Sequence, residues 1–500
     1  MRQTTEAEIR TMVQSYPSVQ WLWYLRRLPD LFDGALSTTG PYDRGLMDLV
    51  AAASAKACTQ LPITGGEINF PVTDGVVRRV LRLCAMAVTL SDIHSRLRRA
   101  GKGIAFAPQG EGFPADVPNA SVRAAIDLYD RRVCAHPTGL TSPGTIMLTP
   151  DYRDGDPLPI VLVSPLPAWD MLPTWQGPLS GGTPMTTRGR FTPHVISLRE
   201  VRAVLGLTPT RTTPWWEPEL PALIALLQAL SMYLTYDTAG GWLSLVRYGY
   251  VVLRWEILRE LLDRALPWLK AELDSWFPPS AFADAQQILE RLDGLPVSLW
   301  PQEPGPIFHR AGPDVLVDFD AASRHLFRQC TVAPINDTPV SKIRADHFEE
   351  TVQQLIDRSP WKPSQTAPVR NFKPRPLGSG VLTDFDAVGE LGDTLLIVSC
   401  KSRPYTAQYD AGDYKAVRNA ATLVEGAVAK WSEVVATLTE QPVGANYDFS
   451  RYRRILGVVC IPHTPYTVLG AATEVLDINA GGNVLRAANS YEELAAWIGV

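Results

Sequence analysis

Asp386, Ser399, Cys400 and Lys401 are the residues whose types and spacing could do chemistry. Lys401 closes the apolar run Thr394–Cys400, and a lysine is seldom buried beside such a run without a partner. Side chains along a strand point to alternate faces, so Asp384 and Asp386 share one face, and Ser399 and Lys401 share one. Asp386 and Lys401 stand fifteen positions apart, a spacing that lets a hairpin bring them together. A carboxylate, the main-chain carbonyl of Cys400 and a lysine could there hold Mg2+ (or Mn2+) and orient a water for attack on a phosphodiester.

The elements that must position these residues are legible around them. Leu382–Gly389 alternates, Glu390–Asp393 contains Gly392 for a tight turn, and Thr394–Cys400 reads as a buried strand. Downstream, Ala416–Leu438 reads as a helix and Arg454–Ile461 as the next core strand.

In this order the residues resemble the PD-(D/E)xK nuclease superfamily, the restriction-endonuclease-like fold, and within it the Mrr-like and resolvase-like members. The helix Phe348-Glu349-x-x-Val352-x-x-Leu355 is similar to the family's glutamate helix, Asp386 stands for its aspartate, and Ser399-Cys400-Lys401 for its E-x-K. The resemblance covers about residues 340–500. It implies that Asp386 and Glu349 bind the metal with the Cys400 carbonyl, and that Lys401 positions the attacking water. Ser399 departs from the pattern: a hydroxyl stands where the family has an acid. It would serve as a water-mediated ligand, with Asp384 and Glu350 as auxiliary acids. The function implied is a Mg2+-dependent DNA endonuclease, cytoplasmic, of a bacterial restriction or anti-phage defence type, with DNA ahead of RNA as partner. The alternatives are an inactive nuclease-fold subunit that binds nucleic acid or protein, and a plain hairpin with a surface salt bridge.

Basic residues surround the motif. Lys362, Arg370, Lys373 and Arg375 lie in an acid-free stretch before the hairpin that could follow a phosphate backbone. Arg403 and Lys415 follow the motif closely, and Arg451, Arg453 and Arg454 form a second cluster.

The rest of the chain constrains the class. It has 500 residues, which implies two or three domains, since a single core seldom grows past roughly 250–300 residues. The net charge of −5 excludes a uniformly basic nucleic-acid coat. Only nine of the 47 Lys+Arg are lysines. Six scattered cysteines form no C-x-x-C pair, and the seven histidines show no zinc-hydrolase spacing. No phosphate-binding loop or G-x-S-x-G elbow is present. No secretory signal opens the chain, and the most apolar stretch, Leu223–Tyr236, is shorter than the ~20 residues of a membrane span. Residues 1–135 read as mostly helical, with an amphipathic helix over Val76–Arg99 that ends in Arg96, Arg98 and Arg99. Thr145–Leu148 and Pro159–Ser164 read as short strands, and Pro165–Pro193 as a loop or linker. Residues 196–296 read as helical, including one long helix over Leu243–Trp268. Asp314–Phe319 reads as a strand, with Asp318 and Asp320 at the turn after it. The fold class expected is multidomain α/β, with helical N-terminal and middle regions (1–190 and 191–340) and a restriction-endonuclease-like α/β domain on a mixed central sheet at 341–500. The N-terminal region leaves room for a protein partner or activator, and an oligomer is compatible.

Overall fold

Leu395, Leu396, Ile397 and Val398 are fully buried, and this run decides the architecture of the C-terminal part. A strand apolar on both faces needs cover on both, which is the environment of a sheet carrying parallel strands. In the computed structural model, α1 (Thr338–Asp357) precedes a hairpin of β1 (Ala387–Leu391) and β2 (Thr394–Cys400). Then come α2 (Tyr414–Glu440), β3 (Arg454–Ile461), β4 (Ala488–Ser490) and α3 (Tyr491–Ile498). The sheet runs β1-β2-β3-β4. The first pair is antiparallel and the other two are parallel.

Alternation along β2 sorts its residues between two layers. Leu395 and Ile397 pack with Val424, Val428 and Trp431 of α2. Leu396, Val398 and Cys400 pack with Val352, Leu355 and Ile356 of α1 and with Leu494 and Trp497 of α3. The result is a mixed four-stranded sheet with helices on both faces. Gly392 turns the hairpin with φ of 60°, in a two-residue loop between the paired Leu391 and Thr394.

The structure describes residues 1–27, 50, 56, 58–64, 67–110, 114–135, 159–165, 175–177, 185–187, 191–197, 218–236, 239–295, 297, 299, 304–331, 338–378, 380–402, 409, 412–462 and 471–500. They fall into two compact units: residues 1–96 with 138–331, and residues 97–137 with 332–500. The chain is thus multidomain and α/β. In the second unit, Ile104, Val122 and Ile126 share a small core with Tyr409, Val417 and Ala420.

The first unit is built around the helix Glu219–Tyr236, whose residues 222–227 are all fully buried. Such an all-round apolar helix belongs inside a core. It packs with Trp255–Glu272, Ala285–Asp293, Phe319–Thr331 and the strand Pro159–Pro165. A three-stranded antiparallel sheet joins Phe308–Ala311, Asp314–Asp318 and Tyr250–Arg254. The helices Arg2–Val13, Ser18–Arg27 and Asp74–Gly101 supply a second core. Among the described residues no helix is long and apolar enough to cross a membrane.

Three expectations need correction. The long helix over Leu243–Trp268 is two helices, Ala239–Tyr248 and Trp255–Glu272, with the strand Tyr250–Arg254 between them. Gly249, at φ of 70°, ends the first helix, and Val251 and Val252 favour the strand. The segment Pro165–Pro193 is not all loop. Trp175–Gly177 pairs with Met185–Thr187, and Phe191–Ser197 pairs with Pro159–Pro165. These are two-stranded ribbons, where proline can occupy edge positions. The first hairpin strand begins at Ala387 rather than Leu382, because Leu382 and Phe385 donate instead to the carbonyls of Pro374 and Phe372. The expected strand at Thr145–Leu148 lies outside the described residues.

Candidate active site

The site forms at the carboxyl end of β2, where an open sheet with parallel strands offers a crevice for ligands. Asp386 lies one register step beyond the Ala387–Val398 pair, opposite Ser399. Its N–H continues the ladder to the Val398 carbonyl at 3.1 Å. Its Oδ2 accepts the Cys400 N–H at 2.6 Å and the Ser399 hydroxyl at 3.4 Å. Lys401 Nζ stands 4.0 Å from the same oxygen and donates to Ser399 Oγ at 2.8 Å and to the Cys400 carbonyl at 3.2 Å. The Lys401 N–H donates to the Cys460 carbonyl of β3 at 2.8 Å, which fixes the lysine backbone to the parallel sheet.

Glu349 reaches the site from α1. Burial raises its carboxyl above the usual range and the Asp386 charge adds to this, against the hydrogen bond and charge of Arg370. Burial also raises Asp386, against the Cys400 N–H and the Lys401 charge, with Asp384 pushing the same way as burial. Burial pushes the Cys400 thiol well up, with Cys460, Asp386 and Glu349 adding to it, so this thiol is packing material of the α1 layer.

Asp386, Ser399, Cys400 and Lys401 therefore come together, and Glu349 is near enough to feel the Asp386 charge while its carboxylate contacts Arg370. Asp384 is paired at 3.8 Å with Lys373, which is exposed. Glu350 lies on the outer side of α1 and pairs with Arg370 at 3.3 Å. Arg375 is exposed, and its main-chain N–H donates to Asn446 Oδ1 at 2.7 Å. Lys415 is exposed in the first turn of α2, whose N-cap is Asp413. Arg403 lies outside the described residues. The second basic cluster is partly neutralised, with Arg451 on Glu390 at 2.9 Å and Arg454 on Asp477. Asp318 sits at the turn expected for it, accepting the N–H groups of Asp320 and Ala321 at the start of a helix.

Arg370 is the residue whose role sequence reasoning missed. It was part of a basic stretch, and the structure pairs it with Glu349 at 3.1 Å. The only sequence signal was the acid-free stretch itself, which required partners elsewhere.

Among the described residues no group of three or more His, Cys, Asp or Glu is arranged around a metal position. Two carboxylates whose charges repel, with a nearby carbonyl, suit a hard cation such as Mg2+, which commonly takes one or two carboxylates and keeps several waters. Compared with protein-family models, with curated proteins and with solved structures, the chain gives no match in any of the three.

Proposed function

We propose that the protein is a metal-dependent nuclease of the restriction-endonuclease-like type, hydrolysing phosphodiester bonds of nucleic acid, DNA ahead of RNA. One observation carries the reading. A half-buried carboxylate, Asp386, is held by the Cys400 N–H at the carboxyl end of a parallel strand, with an ammonium 4.0 Å away and a helix glutamate raising the local negative charge. Asp386, Glu349 and the Cys400 carbonyl would hold Mg2+ or Mn2+, which supplies charge neutralisation and a more acidic water. Lys401, anchored on Ser399 and on the β2 backbone, aims its ammonium at developing negative charge. Exposed Lys373, Arg375 and Lys415 supply cations for a phosphate backbone.

A second reading, a nuclease-like fold without cleavage, has one observation in its favour. Ser399 takes the place of an acid, and Lys401 Nζ is hydrogen-bonded to it and to the Cys400 carbonyl, a metal-ligand candidate.

The test is a cleavage assay with purified full-length protein, offering plasmid, single-stranded DNA or RNA with Mg2+ or Mn2+. Asp386→Ala and Lys401→Ala each lower cleavage by at least about a hundredfold, the scale of one lost charge-stabilising group. Cleavage unchanged in both variants overturns the site. Nucleic-acid binding with no cleavage of any substrate selects the second reading.

A further inference from the structure

Beside the hairpin, one more cation is built against these residues. Arg370 leaves the loop before β1 and lays its guanidinium on α1. Its Nη2 lies 3.1 Å from Glu349 Oε2 and donates to the Asp346 carbonyl at 3.2 Å, while Nη1 lies 3.3 Å from Glu350 Oε2. Its Nε is buried without a hydrogen bond. The next residue, Asn371, has φ of 66°, the one positive value at a non-glycine residue among those described. Asn371 is held there by its N–H on the Phe385 carbonyl at 2.7 Å. A left-handed residue persists where the surroundings impose it. This one fixes the turn from which Arg370 reaches α1.

Charge balance gives the arrangement a consequence. Glu349 and Asp386 carry two negative charges, and Lys401 and Arg370 carry two positive ones. Glu350, the second acid on Arg370, adds a third negative charge, so with Ser399 neutral the set carries a net charge of −1. A divalent cation ligated by Glu349 would then share one carboxylate with a guanidinium, and two like charges on one small group repel. Arg370 is partly exposed, at 23%, as is Lys401 at 34%, so both reach solvent. A planar guanidinium released from a carboxylate matches a phosphate equally well.

We propose that Arg370 competes with a divalent cation for Glu349, and that a cation taking Glu349 leaves the guanidinium held only by exposed Glu350 and the Asp346 carbonyl, from which a substrate phosphate draws it away. This rests on the metal-nuclease reading above. Arg370 is thereby a positioning residue for Glu349 that becomes a phosphate ligand.

The test compares wild type with Arg370→Ala in two measurements. In calorimetric titration with Mn2+ alone, the variant binds roughly two- to fivefold more tightly, the scale of one partly exposed ion pair removed. In titration of a short DNA duplex in Ca2+, the variant binds more weakly, and the slope of log affinity against log salt shrinks by about one phosphate contact. Unchanged or weaker Mn2+ binding overturns the proposal, because removing a cation that competes for Glu349 must strengthen Mn2+ there. An unchanged salt slope overturns it as well. If the alanine variant melts early, Arg370→Gln replaces it, since an amide keeps donors for α1 while losing the charge. Wild-type protein that takes up no Mn2+ overturns the nuclease reading itself, whereas wild type that binds Mn2+ with an indifferent variant overturns only the role of Arg370.

Discussion

Asp386 is a carboxyl held mostly out of water, beside the Lys401 ammonium at 4.0 Å. Burial raises its pKa, so the ionised carboxylate weakens the folded state at neutral pH. The sign follows from proton uptake. Between the ordinary aspartate value and the raised one, the native state binds the proton that the unfolded chain has released, so stability falls as pH rises through that window. Asp386→Asn keeps an oxygen for the Cys400 N–H and removes the charge. The variant therefore melts at a higher temperature than wild type at neutral pH, and the gain disappears on the acid side of the ordinary aspartate range. Thermal melts across pH check this. A variant less stable than wild type at neutral pH would show that the charge contacts with Lys401 outweigh burial. Asp386, Ser399 and Lys401 were legible in the sequence because polar residues ending an apolar strand demand a reason. The partners of Arg370 were not, because a contact across 21 positions through an irregular loop leaves no periodic trace.

At the scale of elements, the site depends on how closely β3 approaches α2. Gly457 makes that approach: a Cβ there would lie 2.2 Å from Val435 Cγ2 and 3.1 Å from the Trp431 ring. Trp431 is buried, meets Phe385 edge-on at 6.1 Å and donates to the Ile397 carbonyl at 3.1 Å. Phe385 in turn adjoins Asp386. Gly457→Ala forces this packing apart and costs about 1–3 kcal/mol, as overpacking does. Chemical denaturation measures it, and a cost near zero would mean that α2 shifts freely on the sheet. Helices and strands here were readable from periodicity: the spans expected at Ala416–Leu438 and Arg454–Ile461 are found at Tyr414–Glu440 and Arg454–Ile461. Periodicity failed at Tyr250–Arg254, where a short strand follows an apolar helix after a single glycine. A continuous apolar run hides such a change of geometry.

At the scale of the whole chain, sequence order and spatial grouping part company. Residues 97–137 belong with 332–500, and residues 1–96 with 138–331, a partition that no local pattern could announce. Long-range polar contacts carry it instead. In the first unit, Arg26 of the helix Ser18–Arg27 places Nη2 3.0 Å from Asp318 and 3.8 Å from Asp320, and all three side chains are about 95% or more buried. Nη1 donates to the Tyr248 carbonyl at 2.7 Å, and the guanidinium lies over the Phe191 ring. Arg324 completes the cluster with Asp320 at 2.9 Å. A buried ion pair adds little over an apolar equivalent, but deleting one partner strands a buried charge and costs about 3–5 kcal/mol. Arg26→Ala therefore destabilises the unit of residues 1–96 and 138–331 by that amount. Two compact units, each with its own core, unfold as separate transitions in scanning calorimetry. Only one of them moves to lower temperature in the variant, while the transition of the other unit stays in place. A single transition that shifts as a whole would mean that the chain unfolds as one cooperative block.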